Sequence, residues 1–166
     1  MKKQFLILFA FAAILSSAIL PSCTPDEPTT YDESGHLGTY VGYHRLVDSV
    51  SLSAFLGDID YSFYDTLVVT NGTVNNDGKV YAKSAYLGGN IIEIDISKSP
   101  SPLTPKIIGT LNIDATVLTD AKIGNGSTAT WNASKTNVNV KINAGATYGV
   151  IVLPPSLKLY GDFVKQ

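Results

Sequence analysis

The chain has 166 residues, 45% hydrophobic and 16% charged, with a single Cys. The net charge is −2, and −4 without Lys2 and Lys3, which argues against nucleic acid as a partner. One cysteine allows no intramolecular disulfide, so a folded domain must rest on its own core.

Lys2 and Lys3 form a short positive start, and an apolar stretch runs from Phe5 to Leu20, broken only by Ser16 and Ser17. This is the anatomy of a signal peptide. The stretch falls short of the roughly 20 apolar residues that a membrane-spanning helix needs. It ends in Leu20-Pro21-Ser22-Cys23, which resembles the lipobox of bacterial lipoproteins. The resemblance implies a diacylglycerol on the Cys23 sulfur, signal peptidase II cleavage between Ser22 and Cys23, and acylation of the new N-terminus. Leu20 would fill an apolar protease pocket, and Ser22 is small enough to sit beside the scissile bond. The expected signal peptide is therefore 1–22, with Cys23 the lipidated residue. An ordinary secretory signal with an incidental cysteine is the other reading. Several acyl chains on one residue anchor firmly, because each buried CH₂ contributes about 0.8 kcal/mol.

Residues 23–36 read as an acidic, proline-containing flexible tether. Thr24 to Gly35 spells TPDEPTTYDESG, with no basic residue and little apolar surface to offset chain entropy. Thr24, rather than Asp, follows the cysteine, so the inner-membrane retention signal is absent. Asp26-Glu27 resembles the acidic export signal of Bacteroidota-type lipoproteins. That implies an outer-membrane location, at the periplasmic face or the cell surface, and a solvated linker is the alternative.

Residues 37–166 read as one all-β domain. Alternation with period two marks half-buried strands. Phe63, Leu67 and Val69 share a face with Tyr61; Val80, Ala82 and Tyr86 follow, then Ile92, Ile94 and Ile96. Ile107, Leu111 and Ile113 group together, as do Thr136, Val138, Val140 and Ile142, and Leu157, Leu159 and Phe163. A short helix is allowed only at Asp48 to Leu56, where alternation is also present. Turn signals stand at Asn76-Asp77-Gly78, Gly88-Gly89, Asn125-Gly126, Gly145 and Pro154-Pro155. The short spacings require antiparallel neighbours. An antiparallel barrel of eight to ten strands fits, and a two-sheet sandwich is the alternative. The opening Gly38-Thr39-Tyr40-Val41-Gly42 and the meandering strands resemble the calycin-like, lipocalin-shaped barrels of small Bacteroidota lipoproteins. A membrane-embedded barrel is disfavoured by charges such as Glu93 and Asp95 on the outer face.

The residues point to no catalytic or metal site and no cofactor. His36 falls in the tether and His44 in the first strand, too few ligands for zinc. Ser and Asp are plentiful, but no Gly-x-Ser-x-Gly elbow accompanies His44. Gly57 to Asp60 and Asn75 to Gly78 carry oxygen ligands without EF-hand spacing. The glycine pairs lack a following helix to hold phosphate. Asp48-Ser49-Val50 and Asp65-Thr66-Leu67 resemble the Bacteroidota O-glycosylation motif, making Ser49 and Thr66 candidate acceptors; sequons at Asn71, Asn125 and Asn132 also occur. Nine tyrosines suit strands and binding surfaces alike. The expected function is a non-enzymatic, membrane-anchored binding module for a small apolar or glycan ligand or an envelope protein. A structural module of a surface complex or adhesin is the alternative. No residue identifies the ligand-binding site.

Overall fold

A computed structural model of the chain describes residues 29–47, 61–84, 86–113, 116–149 and 151–166. The signal peptide, the Ser22–Cys23 junction and Ser49 lie outside the described residues, as does the stretch Asp48 to Leu56.

The described chain is built almost wholly of strands: β1 (Gly38–Val47), β2 (Tyr61–Asn71), β3 (Lys79–Ser84), β4 (Ile91–Asp95), β5 (Ser101–Pro102), β6 (Lys106–Ile113), β7 (Thr116–Ile123), β8 (Thr128–Trp131), β9 (Asn137–Tyr148) and β10 (Ile151–Lys165). All pairings are antiparallel, and the main path runs β4-β3-β2-β1-β10-β9-β7-β6. Two positions in the wall are shared by pairs of short strands. β8 pairs the first half of β9 (Ala129 opposite Val140), and β7 pairs its second half (Ile123 opposite Ala144). β5 pairs β8, while β6 pairs β7. The ring closes in its lower half, where Ile94 bridges Leu103 and the Thr104 N–H donates to the Glu93 carbonyl at 2.9 Å. In the upper half, side chains span the gap between β4 and β6. Asn90 Nδ2 donates to the Ile108 carbonyl at 2.7 Å, and Lys106 Nζ to the Ile91 carbonyl at 2.8 Å. The result is a nearly closed antiparallel barrel, as the alternation predicts. Near-closure shortens the unpaired strand edges, which a disulfide-free β protein would otherwise leave open to pairing with other chains.

Alternation places the core where expected on β3, β4, β9 and the second half of β10. Val80, Ala82, Ile92, Ile94, Val138, Val140, Ile142, Leu157, Leu159 and Phe163 are buried. Thr136, expected inside, is exposed in the turn before β9, where Lys135 takes a φ of 58°. On β6 the register slips around Gly109, whose φ is 81°. One extra residue reverses the side-chain parity. Ile108 is therefore buried and Ile107 is 76% exposed, the reverse of the expected order. Gly145 is not a turn but an interior position of β9 opposite Lys122. Pro154-Pro155 likewise lies within β10, at the irregularity between Leu153 and Leu157. A bulge is where a strand tolerates proline, because no ladder N–H is required there. The reversal between β9 and β10 falls at Gly149, with a φ of 58°.

The segment expected as the end of the tether is packed against the body. Residues 34–36 form a single 3₁₀ turn, and Glu33 and His36 are buried. The Glu33 carboxylate accepts the Gly78 N–H at 3.0 Å, so it serves the β2–β3 turn rather than water. Tyr31 N–H donates to the Asn76 carbonyl at 3.3 Å, and Lys165 Nζ to the Gly35 carbonyl at 3.0 Å. Tyr40 Oη donates to the carbonyl of His36 at 2.9 Å, and the His36 ring meets Trp131 edge-on at 5.0 Å. Residues 31–37 thus form a strap across one end of the barrel, and the domain begins before residue 37. Burial, with Lys135 and Lys165 nearby, holds the His36 imidazole below its ordinary value, against the opposing pull of the Glu33 backbone carbonyl and of Asp32. A depressed imidazole binds fewer protons folded than unfolded, so stability is complete above about 6.5 and declines as pH falls below it. Melting temperatures at pH 7.5, 6.5 and 5.5 should show this decline, and His36→Phe should flatten it.

Candidate functional site

Two features of the barrel bear on function: a polar cluster inside and an aromatic face outside. The inner cluster forms because β1, β2 and β3 each bring one polar residue to the core face. His44 Nε2 lies 3.1 Å from Asp65 Oδ2, and Ser84 Oγ donates to the same oxygen at 2.5 Å. All three side chains are buried. Burial pushes the Asp65 carboxyl up, yet hydrogen bonds from His44, Ser84 and the Thr66 backbone outweigh it and hold the group below the usual carboxylate range. Asp65 is therefore ionised at neutral pH, and His44 Nε2 donates to it. Phe63 and Tyr86 stack at 3.6 Å, and Phe163 meets the His44 ring edge-on at 4.9 Å. Burial raises the Tyr86 phenol far above its ordinary value, and the Asp65 charge adds to the effect.

The order of these groups decides what they can do. In a catalytic triad the histidine stands between serine and carboxylate, so that it can take the serine proton. Here the carboxylate stands between serine and histidine. Ser84 Oγ spends its proton on Asp65 and also accepts the Leu87 N–H at 3.2 Å. The cluster ties β1 to β2 and β2 to the end of β3, a structural task. Among the described residues, no three His, Cys, Asp or Glu side chains converge as metal ligands.

Among the described residues, the core side chains are closely packed. Tyr40, Phe163, Leu111, Leu118, Leu157 and Leu159 are almost wholly buried. Beside His44, Leu87, Ile94 and Val140 border a void of about 10 Å³. That admits one water at most, against the several hundred Å³ of a drug-sized ligand pocket.

The outer face is different in kind. On β1 and β2 the outward residues Tyr43 and Tyr64 stand directly opposite, meet edge-on at 5.4 Å and are each 59% exposed. Val41 faces Thr66 on β2 and Val164 on β10, one row away. Asp162 lies opposite Tyr43, and Tyr160 opposite Arg45, with Lys141 Nζ 5.7 Å from the Tyr160 ring. Val164 and Val68 are also exposed. The tyrosines point to strands or binding surfaces in the sequence without locating this sheet, although the alternation of Tyr43 against buried His44 is a visible signal.

Thr66 lies on the outward face of β2 and is half-buried between neighbouring strands, while the Asp65 of its motif is bonded inside the core. His36 and His44 sit apart, one under the strap and one in the barrel. Comparisons with protein-family models, curated proteins and solved structures returned no match. The functional reading therefore rests on the geometry of the chain itself.

Proposed function

We propose that the protein is a lipid-anchored module of the bacterial outer membrane that engages an envelope protein through the outer wall of β2, β1 and β10, without chemistry of its own. The observation that carries this reading is the exposed Tyr43–Tyr64 pair on the outer wall of the barrel. Tyrosine is enriched at interfaces because a flat apolar ring and a polar tip cost little entropy to immobilise. The neighbouring valines supply apolar contact, and Asp162, Arg45 and Lys141 supply a polar rim. The void beside His44, bordered by described core side chains, has no room for a small apolar ligand. The anchor itself rests on the Leu20 to Cys23 motif.

Crosslinked pull-down from intact cells tests the proposal. The wild-type chain should capture a defined neighbour, and Tyr43→Ala with Tyr64→Ala should reduce that capture at least tenfold. Both side chains are exposed, so the double variant should melt close to the wild type. Equal capture by a folded double variant would remove the outer wall as the site.

A further inference from the structure

The strap also bears on how the barrel stands on a membrane. We propose that the end of the barrel crossed by residues 31–37 faces the lipid surface, and that the opposite end points away from it. The inference rests on acylation of Cys23.

The argument is one of reach. The described contacts that fix the strap begin at Tyr31, whose N–H is bonded to the β2–β3 turn. Only eight residue steps separate it from Cys23, which gives a reach of at most about 29 Å at full extension. The strap end also carries the start of β1, the end of β10 and the turn from β8 to β9. Gly38 pairs Val69, Tyr40 pairs Lys165, and Trp131 pairs Val138. β1 is ten residues long, about 33 Å along the strand and about 25 Å of barrel height once tilted. To set the other end on the bilayer, the linker would have to run up the barrel wall almost fully drawn out. A chain held that way loses most of its conformations.

Part of the charge at this end is matched internally. At the strap end Lys98 pairs Asp95 at 2.8 Å, Lys79 pairs Glu93 at 3.0 Å, and Lys165 Nζ is bonded to Gly35. Asp32 accepts from Ser34. Lys79 and Lys98 are thus matched by carboxylates, and the orientation rests on attachment rather than on attraction to anionic lipid. The tyrosine face then stands upright beside the membrane, open to a neighbour at the same height.

The test uses the full acylated chain floated on phosphatidylethanolamine–phosphatidylglycerol vesicles. A fluorophore is attached through Thr73→Cys at the strap end or Val152→Cys at the opposite end, both exposed positions. Energy transfer to a headgroup-labelled acceptor lipid is the readout. The proposal expects transfer at least threefold stronger from residue 73 than from 152. Adding Glu33→Ala and His36→Ala, which release the strap, should shrink that ratio toward one. A floated, acylated protein with equal transfer from both positions, or with the order reversed, overturns the orientation while leaving the anchor standing. A protein that neither floats nor carries acyl mass overturns the anchor and the orientation together.

Discussion

Replacing Asp65 by alanine should destabilise the domain by about 3–5 kcal/mol, lowering its melting temperature by about 10 °C or more. The carboxylate is buried and receives both His44 and Ser84. Its removal leaves the Ser84 hydroxyl and a histidine N–H in an apolar interior, and unmade buried bonds cost more than made ones contribute. Asp65→Asn keeps the shape and one acceptor, and should cost about half as much. The pH dependence carries the same signature. The unfolded carboxyl titrates near about 3.9, and the folded one lies lower. The contribution of Asp65 is complete above about 3.9 and is lost as pH falls from there through the folded value. Chemical denaturation at pH 7 and pH 3 should therefore show a smaller gap between wild type and Asp65→Ala in acid. An equal gap at both would mean that the carboxylate charge contributes nothing.

Gly42→Ala should be comparably severe, at about 3 kcal/mol, for a different reason. A Cβ at Gly42 would lie 1.9 Å from the Asp162 carbonyl oxygen and 2.8 Å from the Phe163 Cα, so backbone must move to admit it. Gly42 pairs Phe163 in the β1–β10 ladder, and separating these strands opens the barrel wall. Gly161→Ala should cost less than Gly42→Ala, because the nearest atoms belong to the Phe163 and His44 side chains rather than to backbone. Gly109→Ala meets nothing within 4 Å and pays only for its φ of 81°, about 1–2 kcal/mol. Guanidinium unfolding of the three variants should return that ranking. Gly42→Ala as mild as Gly109→Ala would show that β1 and β10 are less closely apposed than described.

What the sequence made legible was the side-chain period. Ile92 and Ile94, or Val138, Val140 and Ile142, can be assigned to a core face without coordinates, because nothing interrupts their alternation. The rule fails where one residue is inserted, as at Gly109, since every side chain beyond the slip changes face. Gly145 and Pro154-Pro155 were misleading for a related reason: these residue types mark turns in most settings, but a long coiled strand also uses them at bulges and close approaches. The acidic stretch around Glu33 reads as solvating by composition, yet one carboxylate suffices to cap the Asn76–Gly78 turn and bring the segment down onto the barrel. The inner cluster was beyond reach altogether. His44, Asp65 and Ser84 stand on three strands, and only the register that pairs Gly42 with Asp65 and Leu67 with Ser84 brings them together.

The double pairing of β1 has a mechanical meaning. It is bonded along nine residues to β2 and along eight to β10. Any tug arriving through the N-terminal chain enters at the strap and passes straight into this strand, parallel to its length. Such a load must shear two ladders at once instead of peeling bonds one by one.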